Sequence, residues 1–372
     1  MRRTSVMRFV HYYPDAMGDS GVTVALWGWA AALSAAGYEC VVLHAGRHPD
    51  RQTAEPFVTT RGAPVVHRPI PHRGRGRITR HPVDLGRHLQ PGDVLVLHEG
   101  WVTGNVIAAE SASRAGIPYL VVPHGVYEPA WRRYLRPPHA VRELLERRVL
   151  DRAAAVHLFF HSEAPSIMAL APAAKIVVSP TGVDIPDDAW RGGGGYLAWV
   201  GRYDPTHKGL DLLVDAVGEI PPDRRPTIVL RGYDYRGGLA RIRSLLARRP
   251  ELAASVRIGG PISGAEKRTF LLDADGYVLP SRWESHSVAL LEVLSLGIPS
   301  IVSNALHIAP VLRQHDAAVL TTPDARSLAM AILHLNEATD VGARGRAMAG
   351  TEFTWPRAVA DLVSQLETLG VA

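Results

Sequence analysis

Apolar residues recur along this chain in short runs, separated by longer amphipathic stretches. The runs Val6–His11, Glu39–His44, Asp93–His98, Tyr119–Val122, Val156–Phe160 and Ile176–Val178 have the length and continuity of buried strands. Between them, Val22–Ala36 and Val102–Ala115 carry apolar residues at helical spacing. The alternation resumes with strands at Tyr196–Val200, Thr227–Gly232, Val256–Gly260, Gly276–Leu279 and Ser300–Ser303, and helices at Ala265–Asp273 and from Val288 onward. Helices then fill Asp324–Met348, and the break at Phe353-Thr-Trp355-Pro356 precedes a last helix, Pro356–Leu369. This rhythm predicts an α/β protein with two doubly wound, parallel-sheet, Rossmann-like domains. The first is expected over residues 1–185 and the second over 196–355, with 356–372 as the terminal helix. Residues 186–195, with four consecutive glycines at the end, read as a linker.

Length and composition fit this picture. A chain of 372 residues that is 47% hydrophobic suits two domains with real cores. No apolar run reaches the length of a membrane span. The basic amino-terminus runs into Pro14, Asp15 and Asp19 and does not resemble a secretory leader. The single cysteine, Cys40, excludes internal disulfides and thiolate metal clusters. Together these features predict a cytoplasmic protein, with peripheral contact to the inner face of a membrane left open. The net charge of +5 comes almost wholly from arginine, since lysine occurs only at 175, 208 and 267. No module interleaves basic and aromatic residues, so nucleic acid is not an expected partner. The basic, Gly- and Pro-rich stretch Arg68–His88 reads as a mobile, solvated loop, with contact to an acidic acceptor or an anionic membrane as the alternative.

Chemistry concentrates in Leu279–Ser300. A buried strand ends at Pro280-Ser281, Glu284 follows in the loop, and a helix carrying Glu292 runs to Gly297-Ile-Pro299. In open α/β sheets ligands sit beyond the carboxyl ends of the strands. The backbone N–H groups of Ser285, His286, Ser287 and Val288, at the helix start, would face a phosphate there. Arg202 and Lys208 flank a turn before another helix, where guanidinium and ammonium together suit a diphosphate. Ser20 and Gly21 open the first helix and are candidates for contact with a phosphate. His124 stands between Pro123 and Gly125, just past a strand, and Gly232 ends another. His98 and Trp101, at and beyond the end of Asp93–His98, are candidates for acceptor contact. Asp273-Ala-Asp275 ends a helix and reads as structural, and His157 and His161 have no evident third ligand, so no metal site is expected.

Glu284 and Glu292, spaced by seven residues between a Pro-Ser loop and a Gly-x-Pro turn, resemble the Glu-x7-Glu motif of the family 4 glycosyltransferases. The Arg202–Lys208 segment, Pro123-His124-Gly125 and Pro180-Thr-Gly-Val-Asp184 resemble further elements of that family in the same order. The resemblance covers nearly the whole chain. It implies a retaining enzyme of the GT-B fold, with two Rossmann-like domains facing a cleft and a last helix that crosses back to the first domain. It implies a nucleoside-diphosphate-sugar donor on the second domain and a hydroxylated small-molecule or saccharide acceptor on the first. It places Glu284 and His124 by the donor sugar, Glu292 on the ribose, Arg202 and Lys208 on the diphosphate, Gly21's loop toward the phosphates and Gly232 near the base and ribose. No cofactor or metal is implied. A nucleotide-sugar epimerase or hydrolase of the same fold, and a non-catalytic nucleotide-sugar-binding protein, are the alternatives.

Overall fold

The computed structural model describes residues 7–18, 20–46, 65–134, 139–338 and 340–371. Met1–Val6 and Asp19, used above in reading the amino-terminus, lie outside them. The chain divides into two units: Met1–Gly182 with Trp355–Ala372, and Val183–Thr354.

The first unit holds β1 (Arg8–Tyr12), β2 (Glu39–His44), β3 (Val66–Pro69), β4 (His72–Arg73), β5 (His81–Pro82), β6 (Asp93–His98), β7 (Tyr119–Val122), β8 (Ala155–Leu158) and β9 (Ile176–Val178). Seven of them form one sheet in the order β3-β2-β1-β6-β7-β8-β9, and every pairing is parallel. β1 and β6 lie in the middle and are buried at every position. Cover on both faces explains why they read as unbroken apolar runs rather than alternating ones. Arg8 forks onto Asp93 through two hydrogen bonds of 2.7 Å and fixes the register of β1 against β6.

The helix Trp355–Thr368 belongs to this unit, as the resemblance implied. Its strong amphipathicity buries Ala358, Val359, Leu362 and Leu366. The Gln365 amide accepts from the Val178 N–H and donates to the Val178 carbonyl, both at 2.9 Å, closing the edge at β9. Trp355 meets Trp29 edge to face at 5.6 Å. A Cβ at Gly28 or Gly182 would lie 2.4 or 2.6 Å from the Trp355 indole, so glycine at both lets the helix seat.

The second unit holds β10 (Tyr196–Val200), β11 (Thr227–Arg231), β12 (Val256–Gly259), β13 (Gly276–Leu279), β14 (Ser300–Ser303) and β15 (Val319–Thr321). They form a parallel sheet in the order β12-β11-β10-β13-β14-β15. Each sheet reverses its direction of growth once, between β1 and β6 and between β10 and β13. Those switch points are where a doubly wound sheet opens a crevice for a ligand.

Two sequence expectations are corrected. The stretch Arg68–His88 is not a loop: it contains the end of β3, the β4–β5 pair and helical turns at Gly76–Thr79 and Leu85–His88. Ile70 and Leu85 anchor it in the core, the Tyr12 hydroxyl bonds His72 at 3.1 Å, and Arg80 pairs with Asp15 at 3.0 Å. Residues 186–195 are not a free linker but part of the second unit. Backbone bonds from Arg191, Gly192 and Gly194 to the carbonyls of Leu272 and Asp273, and the Trp190 indole on the Ala274 carbonyl, hold them down. Among the described residues no helix is long and apolar enough to cross a membrane.

Candidate active site

In the second unit the loops after β10 and β13 flank the switch point and are joined along their length. The Arg282 N–H donates to the His207 carbonyl at 2.9 Å, and its guanidinium forks onto Asp211 at 2.7 and 2.8 Å while reaching the Thr206 carbonyl. His207 lies flat on Trp283, with ring centroids 4.5 Å apart. Gly209 has φ +64°, and a Cβ there would stand 2.0 Å from the Pro280 carbonyl oxygen. Only glycine accepts both the left-handed backbone and that approach.

This joint brings Arg202, Lys208 and Glu284 together. Lys208 Nζ is ion-paired with Glu284 Oε1, which also accepts from the Ser281 hydroxyl at 2.9 Å. Arg202 donates to His207 Nδ1 at 2.7 Å, and its guanidinium lies 4.6 Å from the centre of the Tyr235 ring. Arginine has no acceptor, so His207 Nδ1 is bare and its Nε2–H donates to the Trp283 carbonyl at 2.8 Å. Burial lowers the His207 pKa to about 3, so this neutral tautomer persists across the working pH range. Sequence reasoning missed His207, Trp283, Arg282 and Asp211, because their role is to join two loops that are 76 residues apart in the case of Lys208 and Glu284.

Burial opposes charge on Glu284, but the Lys208 ammonium, His207 and the Ser281 hydroxyl together outweigh it and hold the carboxyl at about 2. The folded value lies below the ordinary 4.5. The stabilisation from the ionised Glu284 carboxylate is therefore present above about pH 4.5 and is lost as the pH falls toward 2. Urea midpoints of the wild type are expected to drop more steeply between about pH 5 and pH 3 than those of Lys208→Met; parallel slopes would contradict the pairing.

Glu292 sits one helical step further along Val288–Leu296, half-buried, with its carboxylate on Lys267. Burial first, and then the charges of Glu284 and Glu292, raise the pKa of the buried Tyr277 hydroxyl, so both carboxylates act on one buried group. Ser287 caps that helix by accepting from the Leu290 N–H. Ser285 is buried beside Glu284, and the His286 ring stands 6.1 Å from Phe353. The helix start at Val288 follows directly. Gly232 has a packing reason of its own: a Cβ there would lie 1.7 Å from the Gly201 carbonyl oxygen, where the ends of β10 and β11 converge. Asp273 and Asp275 are structural, held by Arg191 and the Gly193 N–H. Among the described residues no three His, Cys, Asp or Glu side chains gather as a metal site.

In the first unit Ser20 caps the helix Gly21–Ala35 by accepting from the Thr23 N–H at 3.2 Å. A Cβ at Gly21 would meet nothing within 4 Å, so packing places no demand for glycine there. Beyond β6 and β7, Glu99, Trp101 and His124 all have positive φ, at +67°, +60° and +53°. Such strain in non-glycine residues gathers at functional sites. His124 is half-buried and bonds His98 Nδ1 through its Nε2 at 2.9 Å. His98 and Trp101 are corrected as acceptor contacts. His98 is 1% exposed between His11 and His124, because β6 is covered on both faces. Trp101 is buried, with its indole on the Val126 carbonyl at 2.8 Å and its ring against Tyr127.

Residues 20–182 match the glycosyl transferase 4-like domain and residues 194–338 match the glycosyl transferases group 1 domain. The chain is 27% identical over 320 residues to a D-inositol 3-phosphate glycosyltransferase of Jonesia denitrificans, covering 76% of this chain and 74% of that protein. It is 28% identical over 162 residues to a phosphatidyl-myo-inositol mannosyltransferase of Mycobacterium tuberculosis, covering 41% and 42%. Among solved structures, HepE of Anabaena in complex with UDP-glucose superposes with a TM-score of 0.75 at 16% identity, covering 98% of this chain and 100% of that one. A sucrose-phosphate synthase from Thermosynechococcus elongatus superposes with a TM-score of 0.73 at 18% identity, covering 98% and 99%. At such identities these structures speak to the fold, which is GT-B.

Proposed function

The chain belongs to the group 1 glycosyltransferases, and on that premise we propose that it moves a sugar from a nucleoside-diphosphate sugar to an acceptor hydroxyl with retention of anomeric configuration. The observation that carries this reading is the pairing of Lys208 with Glu284 at the switch point of the second sheet. A cation for the diphosphate and an ionised carboxylate for the sugar hydroxyls stand side by side, as phosphate and sugar do in such a donor. Arg202 forks onto the diphosphate, Lys208 adds a compact charge, and the N–H groups from Ser285 to Val288 complete the cradle. Glu292 holds the ribose hydroxyls. Ser20 and Gly21 of the first unit serve the phosphates, and His124 serves the transferred sugar.

As the bond from the anomeric carbon to the phosphate oxygen breaks, positive charge grows on the sugar and negative charge on the departing diphosphate. Arg202 and Lys208 stabilise the second where it develops. Glu284, held ionised by Lys208, faces the first. The acceptor hydroxyl attacks from the same face, and its proton leaves with the diphosphate. A polyhydroxylated acceptor is the favoured class, given relatives named for inositol phosphate and phosphatidyl-inositol. The exposed Arg68, Arg73 and Arg75 of the first unit suit a phosphorylated one.

The test is incubation with nucleoside-diphosphate glucose and mannose and a panel of polyols, inositol phosphates and saccharides. Acceptor-dependent release of nucleoside diphosphate, with an α-linked product from an α-linked donor, is the expected result. Altered sugar nucleotide without acceptor consumption, or a β-linked product, would overturn the reading. Because Arg202 and Lys208 supply the positive charge, the rate is expected to be unchanged by EDTA. Loss with EDTA and recovery with magnesium or manganese would contradict that assignment.

A further inference from the structure

The carboxyl ends of β11 and β12, in the second unit, carry an ion pair that the proposed function does not use. Arg231, the last residue of β11, donates through Nη2 to Glu266 Oε1 at 2.5 Å. Glu266 stands in the first turn of the helix Gly264–Asp273 and is exposed. The Arg231 side chain is half-buried, and its Nε–H is buried with no hydrogen-bond partner among the described residues. Several features fix the guanidinium where it lies. Arg231 pairs with Gly259 across the two strands, and a Cβ at Gly259 would stand 2.7 Å from Arg231 Cδ and 2.8 Å from its Nη1. The Tyr203 hydroxyl donates to the Gly259 carbonyl at 2.7 Å and holds that strand end. At Gly260, the next residue, a Cβ would meet nothing within 4 Å, so the space beyond the strand end is open.

The sheet order locates this pair relative to the diphosphate, which on the reading above lies at the switch point between β10 and β13. The gap between β11 and β12 is two strands further along, about 10 Å at roughly 4.8 Å per strand. A ribose spans such a step between phosphate and base. Side-chain contacts mark the same path. Glu292, assigned to the ribose, pairs with Lys267, and Glu266, beside Lys267 in the chain, pairs with Arg231. Chemistry then selects among the bases. Arg231 presents N–H donors and Glu266 presents acceptor oxygens, side by side. Around its rim guanine offers N7 and O6 as acceptors, then N1–H and N2–H as donors, which is the complementary order. Arginine on N7 and O6 is the commonest specific contact to guanine. Uracil and thymine alternate acceptor, donor and acceptor, and adenine sets its amino group between two acceptors. Cytosine has a single donor group and fills less of the carboxylate.

We propose that Arg231 and Glu266 are specificity-determining residues that read the base of the donor and select guanine, so that the donor is a guanosine-diphosphate sugar. The assignment rests on the donor class proposed above and narrows it. Arg231 donates to O6 and N7, and Glu266 accepts from N1–H and N2–H. Glycine is needed at 259 because any side chain there would push the guanidinium off the strand end.

Calorimetric titration of the full chain with GDP, inosine diphosphate, UDP, TDP, ADP, CDP and inorganic pyrophosphate tests this. GDP is expected to bind at least about tenfold more tightly than UDP, TDP, ADP or CDP. Inosine diphosphate, which is GDP without the N2 amine, should bind roughly fivefold to tenfold more weakly than GDP. Glu266→Gln changes an exposed side chain and should bring GDP and inosine diphosphate within about twofold of each other. Arg231→Met should lower GDP affinity about tenfold. Both variants should bind pyrophosphate as the wild type does, because Arg202 and Lys208 are intact. A preference for another base, equal affinity of the wild type for GDP and inosine diphosphate, or variants that keep the wild-type preference would overturn the base assignment and leave the donor class standing. An equal loss of pyrophosphate binding in Glu266→Gln would also overturn it. A wild type that binds none of the diphosphates would overturn both readings.

Discussion

Glu284→Gln is expected to lower kcat/KM by about a hundredfold to a thousandfold while nucleoside-diphosphate affinity holds or rises slightly. Lys208 spends one of its three donors on Glu284. An amide in place of the carboxylate keeps the shape and still accepts from Ser281 and Lys208, so the loops after β10 and β13 stay joined. What disappears is the negative charge beside the sugar, a group the surroundings have driven to about 2 despite its burial. Lys208 then has more charge to offer the diphosphate, so binding of the nucleotide portion does not suffer. Glu292→Ala should behave in the opposite way. Its carboxylate lies on the helix Val288–Leu296 and not in the loop, and its loss should weaken nucleotide binding with a smaller effect on kcat. Calorimetric titration of both variants with the diphosphate that binds the wild type checks this. Equal losses of affinity in the two would contradict the division of roles.

Lys208→Arg is expected to lose about a hundredfold in kcat/KM, near 3 kcal/mol of transition-state stabilisation, although it preserves the charge. Lys208→Ala should lose more. The chain uses arginine for almost every other cation, yet it keeps lysine here. The surroundings explain why. Gly209 packs against the Pro280 carbonyl so closely that a single added carbon would collide, which leaves the turn no freedom to shift. Glu284 lies directly against Nζ, and Arg202 already fills the forked position, braced by His207 and Tyr235. A second planar guanidinium would need two matching oxygens and more room than an ammonium. Comparing kcat/KM for the three proteins is the check. Near-normal activity in Lys208→Arg would reduce the requirement at this position to charge alone.

Much of the architecture was legible because buried parallel strands are written as continuous apolar runs. β2, β6, β7, β9, β10, β13 and β14 begin and end where those runs do. The edge strands β3 and β15 were not read. Both are short, and neither carries an alternating pattern, since β3 is exposed at all four positions. The segment from Arg68 to His88 misled because its glycines, prolines and arginines outweigh two anchors, Ile70 and Leu85, that a composition argument does not weigh. Spacing singled out Arg202, Lys208 and Glu284 as candidates because each lies at a strand end beside a helix start. It missed His207 and Arg282 because nothing local marks a side chain that acts across 71 to 76 residues of sequence. His98 was misjudged for a related reason. A strand-end histidine is exposed on an edge strand, but β6 is central, and centrality is a property of the sheet order and not of the strand.

Calorimetric titration decides whether Arg202 and Lys208 of the second unit hold the diphosphate of a sugar nucleotide. Wild type, Arg202→Ala and Lys208→Ala would be titrated with UDP, GDP, ADP and TDP and with the matching monophosphates. One diphosphate is expected to bind the wild type well, its monophosphate to bind at least about tenfold more weakly, and each variant to lose that preference for the second phosphate. A wild type that binds none of the diphosphates, or variants that bind the preferred one as tightly as the wild type, would contradict it.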